Sequence, residues 1–380
     1  MRILVLGAGL VGGPIAADLA RDENNIITVA DIDPVALDRL SSKYKVTTLR
    51  VDLSDSRMVK KLSAGFGLVV SAVPGFLGHQ TLKAVIEAGT NIVDITFAPE
   101  DFELLSPLAK EKNVTAICDM GVAPGMSNLL AAQCAKWLDK AEDIKIYVGG
   151  LPKERPWPYE YKAVFSPIDV IEEYTRPARF RKNGKEVIMP ALTDVEAMHV
   201  DGFGDVESFN SDGLRSLLTS IPDVPNMIEK TLRYPGHVEK MRILRETGFF
   251  RTDTVMIDGK PIRPIDMTAK LLFPMIKLQE GEEDITVMLI IAEGLKGGQR
   301  KRITYSLIDS FDKASGIHSM ARTTGYAATM AARLLINGLY SRTGVNTPEA
   351  LAEDPNVLPY LLQGLSDRGV IYQFKEEDIS

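Results

Sequence analysis

Gly7-Ala8-Gly9-Leu10-Val11-Gly12 spaces three glycines as a dinucleotide-binding turn requires. Gly7 can make the tight turn, Gly9 can let a pyrophosphate approach the backbone, and Gly12 can let a helix pack on a sheet. The run follows a short apolar segment, RILVLG, and opens helix-like sequence through Leu10 and Val11. N–H groups at that helix start would then meet the phosphate. An acid should follow about 20 residues later to bond a ribose hydroxyl. Ala30-Asp31-Ile32-Asp33-Pro34 offers two. Asp33 precedes a proline, the pattern of an N-cap and a first helical residue, which leaves Asp31 for the ribose. An anion there repels the 2′-phosphate of NADP and no arginine closely follows, so the expected cofactor is NAD. Two more segments should line the crevice. Asp52 and Leu53 can meet the adenine, with a helix cap as the other reading of Asp52. Ala72, Val73 and Pro74 can let the nicotinamide ribose pass close to the backbone.

Ligands of open α/β sheets bind outside the carboxyl ends of the strands. Asp94, near the end of NIVDITF, and Asp119, ending VTAICD, would both lie there. Two acids in one crevice can supply a base whose pKa is raised by burial or by its neighbour; capping a turn is the alternative. After Asp119, Gly121, Pro124 and Gly125 bend the chain. Gly121 is expected beside the cofactor, and Asn128 in the first turn of the next helix, with N–H groups toward the cleft. Further on, Thr231-Leu232-Arg233-Tyr234-Pro235-Gly236-His237 groups an arginine, a tyrosine and a histidine around a turn. Arg233, or Arg215 of Ser211-Asp212-Gly213-Leu214-Arg215, can hold a carboxylate. His237 can serve as acid or base near neutral pH, or be an ordinary residue of a helix start.

Several elements must position these groups. Over the first 120 residues, short β-branched runs at 2–7, 25–31, 45–52, 67–73, 91–97 and 114–119 alternate with helical segments. Nearly all-apolar strands in a βα alternation predict a parallel sheet covered on both faces, here a doubly wound Rossmann-type α/β fold. The rhythm changes after residue 120. A hairpin, 284–309, turning at Gly297-Gly298, predicts antiparallel pairing. Residues 121–315 therefore read as a second α/β domain with a mixed sheet. Residues 316–380 read as a small-residue helix and tail packing back on the domain formed by 1–120. The composition, 45% hydrophobic and 25% charged with net charge −7, is that of a globular protein. No basic run suggests a nucleic-acid partner. No apolar run reaches membrane-spanning length. Cys118 and Cys134 form no CxxC pair, and no metal site is expected. The chain is expected to be cytoplasmic.

The segments ILVLGAGLVG, SAVPGFLG, VDITFAPED, CDMGVAPGMSN, EEYTRPARFRKNGK, SDGLR, TLRYPGHVEK and SMARTTG resemble the saccharopine dehydrogenase-like family and, within it, the lysine 6-dehydrogenases. The resemblance runs from the first strand to beyond residue 320. It implies a homodimer built through the second domain. It also implies NAD-dependent oxidative deamination of L-lysine at its ε-carbon, giving 2-aminoadipate 6-semialdehyde, which cyclises, and ammonia. The amine must be neutral to expel hydride, and free lysine has a pKa of about 10.4. Asp94, Asp119 and His237 are the candidates to take the proton. Arg215 and Arg233 would hold the α-carboxylate, and Tyr161 and Tyr234 would line the pocket. Saccharopine reductases differ in carrying an acid where this chain has Ala123, and another residue at His237. Some lysine 6-dehydrogenases have glycine and histidine where this chain reads Ile95-Thr96-Phe97. Saccharopine reductase and carboxynorspermidine dehydrogenase are the alternative activities.

Overall fold

The computed structural model describes residues 1–380, Pro167 by its backbone alone. The chain divides into two units, Met1–Gln133 with Ala321–Ile371, and Cys134–Met320 with Tyr372–Ser380.

In the first unit, the apolar runs become a seven-stranded sheet. Its order is Gly344–Asn346, Thr115–Ile117, Asn91–Asp94, Leu68–Ser71, Arg2–Leu6, Ile26–Asp31 and Thr47–Arg50. Every pairing is parallel. Ile3, Leu4, Val5 and Leu6 are fully buried, as a strand covered on both faces requires. The strand order reverses between Arg2–Leu6 and Leu68–Ser71, which marks the ligand crevice of such sheets. The six expected strands and the doubly wound fold are present. The seventh, Gly344–Asn346, was not foreseen: its three residues include one apolar side chain, so no period shows.

Helix starts follow the expected chemistry. Asp33 accepts a hydrogen bond from the Val35 N–H at 2.9 Å, with Pro34 as the first helical residue. The helix Ser319–Ile336 contributes its later turns to this unit, where Gly325 packs so closely that a Cβ would lie 3.1 Å from Ile15 Cγ1. The contact is anchored by Asp18, which accepts from Arg333 Nη1 at 2.6 Å, Thr329 Oγ1 at 2.6 Å and Arg368 Nε at 2.8 Å.

The second unit holds a nine-stranded mixed sheet. Its central strand, Lys140–Pro152, runs parallel to Asn226–Arg233 and antiparallel to Asp284–Lys296. The expected hairpin pairs Asp284–Lys296 with Gln299–Ser310. Gly297 and Gly298 have φ of +57° and +78°. Left-handed backbone at both loop positions is the tight turn whose twist suits a two-residue hairpin. The helices Pro167–Thr175, His237–Thr247 and Pro264–Ile276 share a core with Tyr161, Phe209 and Phe250. No helix among the described residues is long and apolar enough to cross a membrane.

Candidate functional site

The glycine-rich turn separates into three different demands. Gly7 has φ of +103°, and a Cβ on it would lie 2.6 Å from the Ala72 carbonyl oxygen. A Cβ on Gly12 would lie 2.1 Å from the Gly7 carbonyl oxygen, so the helix Gly12–Leu19 can leave the turn only from glycine. Gly9 is exposed, and a Cβ there would meet nothing within 4 Å. The protein's own packing therefore does not require glycine at 9, whereas a phosphate lying on the backbone does. No side chain caps the helix start at Val11, which leaves it open to an anion.

Asp31 ends the second strand beside this turn. Its Oδ2 accepts from the Ala8 N–H at 2.6 Å and its Oδ1 from the Asp33 N–H at 2.9 Å. The carboxylate is thus oriented on the loop, with further acceptor capacity for a ribose hydroxyl. Ala72 lies against Gly7 and Gly12. Val73 is buried, and Pro74 precedes the helix Gly75–Glu87 without a side-chain cap bond. Leu10 is half-buried and Val11 buried. Asp52 is exposed and folds into its own turn, accepting from the Ser54 N–H at 2.9 Å and hydroxyl at 2.7 Å. These bonds, the hydroxyl's first, hold its pKa below the ordinary value. Leu53 is buried in the core under the sheet. These residues fit a nicotinamide dinucleotide.

Asp94 and Asp119 sit at neighbouring strand ends. The Met120 N–H donates to the Asp94 carbonyl at 3.0 Å, tying the two segments together. Asp94 is fully buried, and its Oδ1 accepts from the Thr96 N–H at 2.9 Å and hydroxyl at 2.6 Å. Burial pushes its pKa up to about 6, against the pull of the Thr96 and Ser71 donors and with help from the Asp119 charge. Asp119 is 6% exposed and has φ of +53°. Left-handed backbone in a residue other than glycine is uncommon, and aspartate is among the types that tolerate it. Gly121 and Gly125 form the following corner: the Gly121 N–H donates to the Pro124 carbonyl at 3.1 Å, and a Cβ on Gly125 would lie 2.0 Å from the Gly121 carbonyl oxygen. Asn128 is buried, its Oδ1 accepting from the Ser127 hydroxyl at 2.7 Å and its Nδ2 donating to Glu349 at 3.3 Å.

In the second unit, Arg233, Tyr161 and His237 come together around Tyr174 and Glu173. Arg233 is buried; its Nη2 bonds Glu173 and donates to the Tyr161 hydroxyl at 3.2 Å, and its guanidinium lies 4.2 Å over the Tyr161 ring. The His237 Nδ1 lies 2.8 Å from the Tyr159 carbonyl, which can only accept, so Nδ1 carries the proton. Nε2 then accepts from the Tyr174 hydroxyl at 2.9 Å. Burial, then the Arg233 charge, lowers the His237 pKa to about 3. The expectation of acid–base work near neutral pH is corrected by this setting. A ring stripped of solvent beside a guanidinium stays neutral there, with both nitrogens engaged. Tyr234 donates to the Pro152 carbonyl at 2.9 Å and carries Arg155 4.6 Å over its ring. Arg215 is buried in left-handed backbone, φ +50°.

The family models that match describe the "Saccharopine dehydrogenase NADP binding domain" over residues 3–117 and the "Saccharopine dehydrogenase C-terminal domain" over residues 121–370. The chain belongs to the saccharopine dehydrogenase family. The α-aminoadipic semialdehyde synthase of Rattus norvegicus is 24% identical over 91% of this chain and 45% of its own. The chain thus spans about half the length of that relative. The NADP-dependent, L-glutamate-forming saccharopine dehydrogenase of Saccharomyces cerevisiae is 22% identical over 100% of this chain and 99% of its own. Carboxyaminopropylagmatine dehydrogenase of Synechocystis is 24% identical over 93% and 94%. The solved structure of apo saccharopine dehydrogenase from Saccharomyces cerevisiae matches with a TM-score of 0.81 at 20% identity, covering both chains entirely, and so shares the fold. Family membership gives this chain the family's nucleotide-binding domain, over residues 3–117, and its C-terminal domain, over residues 121–370.

Sequence reasoning passed over Glu229. This buried acid accepts from the Ser211 hydroxyl at 2.7 Å and the Gly213 N–H at 3.1 Å, and burial pushes its pKa up to about 7. The loop 211–215 wraps it so tightly that a Cβ on Gly213 would lie 2.5 Å from its carboxyl carbon. The available signal was a charge inside the apolar alternation NMIEKTLR.

Proposed function

We propose that this family member is a cytoplasmic, homodimeric, NAD-dependent dehydrogenase that oxidises L-lysine at its ε-carbon, giving 2-aminoadipate 6-semialdehyde and ammonia. In this reading residues 1–120 hold the cofactor and residues 121–315 hold the substrate. Of the C-terminal segment, residues up to Ile371 return to the first unit, while the last strand, Gln373–Asp378, pairs with Gln299–Ser310 in the nine-stranded sheet.

The observation that carries the substrate reading is how the arginines of the second unit are engaged. Arg176 bonds Glu172 at 3.1 Å, Arg179 grips Asp212 through two bonds of 2.9 and 3.0 Å, and Arg233 bonds Glu173. Cations already matched by the protein's own acids suit a substrate with one carboxylate better than saccharopine, which carries three. Arg215, buried on the loop 211–215, is proposed to take that carboxylate in addition to the interactions it already makes within the protein. For the cofactor, the Asp31 charge on the loop supports NAD over NADP.

A bound nicotinamide supplies the hydride acceptor. The turn at Gly7, Gly9 and Gly12 would cradle the pyrophosphate, and Asp31 would take the ribose hydroxyl. Asp119 is proposed to accept a proton from the ε-ammonium, freeing the nitrogen lone pair. The ε C–H bond then breaks with its electron pair leaving as hydride, and the lone pair forms the C=N bond of an iminium ion. Water adds to that carbon, and ammonia departs.

The test is NADH absorbance with L-lysine and NAD, beside saccharopine with NADP and carboxyaminopropylagmatine with NADP. Lysine with NAD should give the largest kcat/KM, and absence of NADH with lysine rules the proposal out. The second reading is an NADP-dependent dehydrogenase of saccharopine or a similar secondary amine. It is supported by the NADP-binding description of the matching domain and by the full-length match to the yeast relative.

A further inference from the structure

Asp94 and Asp119 are not equivalent. Asp94 has no exposed surface, whereas Asp119 keeps 6% of its own. Its Oδ1 is saturated by both donors of Thr96. Thr96 can hold that position only because residue 78 is glycine: a Cβ there would lie 2.2 Å from the Thr96 hydroxyl. The other oxygen, Oδ2, has no hydrogen-bond partner of full geometry among the described residues, and neither has the Ser71 hydroxyl. Ser71 is the residue paired with Asp94 across the two strands. A buried carboxylate oxygen and a buried hydroxyl that approach each other without a hydrogen bond of full geometry, at the cofactor end of the sheet, are a costly arrangement for a purely structural pair. A buried charge acts there over a distance, because little water screens it.

We propose that Asp94 is a positioning residue for amine oxidation, its buried carboxylate acting through Asp119 to favour the cationic iminium without itself touching the substrate. The inference rests on the amine-oxidation reading given above. Positive charge grows at nitrogen as hydride leaves carbon, so fixed negative charge nearby lowers the barrier. Asp119 supplies the contacting group, and Asp94 supplies charge through space, the two segments being held together by the bond from the Met120 N–H to the Asp94 main-chain carbonyl. The charged or titratable neighbours of Asp94 are few. Asp119 faces it from the next strand, and Ser71 and Thr96 are neutral. The helix Gly75–Glu87 abuts Thr96 through Gly78 and bears His79, Lys83 and Glu87, the last paired with Lys60 at 3.0 Å. Turnover then requires Asp94 ionised, and activity should fall as pH drops through about 6.

The experiment compares wild type, Asp94→Asn and Asp119→Asn by pH–rate profile, NADH fluorescence titration and infrared difference titration of carboxyl bands. Asp94→Asn keeps an acceptor for Thr96 and removes only the charge. It should lower kcat about 10- to 100-fold, an amount typical of a positioned charge effect, erase the acid limb near pH 6, and leave NADH affinity within twofold. A carboxyl band titrating near pH 6 should vanish with it. Thr96→Val should move that band upward, since a hydrogen bond to the ionised form is lost, and Thr96→Ser should restore it. An acid limb that persists in Asp94→Asn overturns the proposal. So does a variant as inactive as Asp119→Asn, since Asp94 would then be the contacting base. Should lysine prove not to be the substrate, the infrared titration still decides whether Asp94 holds a proton near neutrality, so the two failures remain distinct.

Discussion

At the scale of single residues, the cofactor turn makes opposite demands on two glycines three positions apart. Gly12 is needed by the protein, because its neighbour across the turn is the Gly7 backbone at 2.1 Å from any added Cβ. Gly9 is needed only by a ligand, because nothing of the chain lies within 4 Å. Gly12→Ala should therefore lower both thermal stability and NADH affinity. Gly9→Ala should leave the melting temperature near wild type while weakening NADH binding at least tenfold, measured by differential scanning fluorimetry beside fluorescence titration. Equal thermal loss in both variants would contradict this division. Asp119 makes a second case. A general base typically contributes about 10²–10⁴-fold, and Asp119→Asn should cost that much in kcat. Near-normal turnover would remove Asp119 from the mechanism. Asp31 is the third: Asp31→Ser should weaken NAD binding and narrow the preference for NAD over NADP, read from the ratio of their kcat/KM values.

At the scale of elements, the contact of the helix Ser319–Ile336 with the helix Gly12–Leu19 depends on one acid. Asp18 has 1% of its side chain exposed and takes both Arg333 and Arg368. Burial alone would raise its pKa, but the two guanidiniums outweigh it and hold the value below the ordinary 3.8. A depressed carboxylate pKa stabilises the fold above the unfolded-state value and ceases to do so as pH falls through the folded one. Asp18→Asn should thus destabilise the first unit by about 3–5 kcal/mol at pH 7, the usual cost of breaking a buried pair. The gap from wild type should close as pH drops below about 4, measured by urea denaturation across pH. The sequence could not announce this anchor, because its partners lie more than 300 residues apart. What was legible is local. Uninterrupted apolar runs, the glycine spacing and the Asp33-Pro34 cap each depend on near neighbours, and the parallel sheet follows from them. The setting of His237 was legible only in part. Arg233 lies four residues away, but Tyr159 and Tyr174, which engage its two ring nitrogens, come from segments more than 60 residues upstream. Asp31 was legible because its role depends only on distance from the glycine turn.

At the scale of the whole molecule, the chain builds two units of separate cores, and the residues proposed for nucleotide binding all belong to the first. Gly7, Gly9, Gly12, Asp31 and Ala72 come from the ends of three strands, and none comes from the nine-stranded sheet. Ligand binding to a native state stabilises what it touches, by about 2.7 kcal/mol at a concentration of 100 times Kd. Saturating NADH should therefore slow amide hydrogen exchange first in the segments 7–13, 31–33 and 71–75. The strands Asp284–Lys296 and Gln299–Ser310 should exchange as they do in the free protein. L-Lysine added to the NADH complex should then protect the loop 211–215, because Arg215 is proposed to take the carboxylate and lies in left-handed backbone that a bound anion would hold in place. Cadaverine, which has the same amine ends without the carboxylate, should leave that loop unchanged. Protection of 211–215 by cadaverine as strong as by lysine would detach Arg215 from substrate recognition. Protection beginning in the nine-stranded sheet on NADH alone would detach the glycine turn from the cofactor.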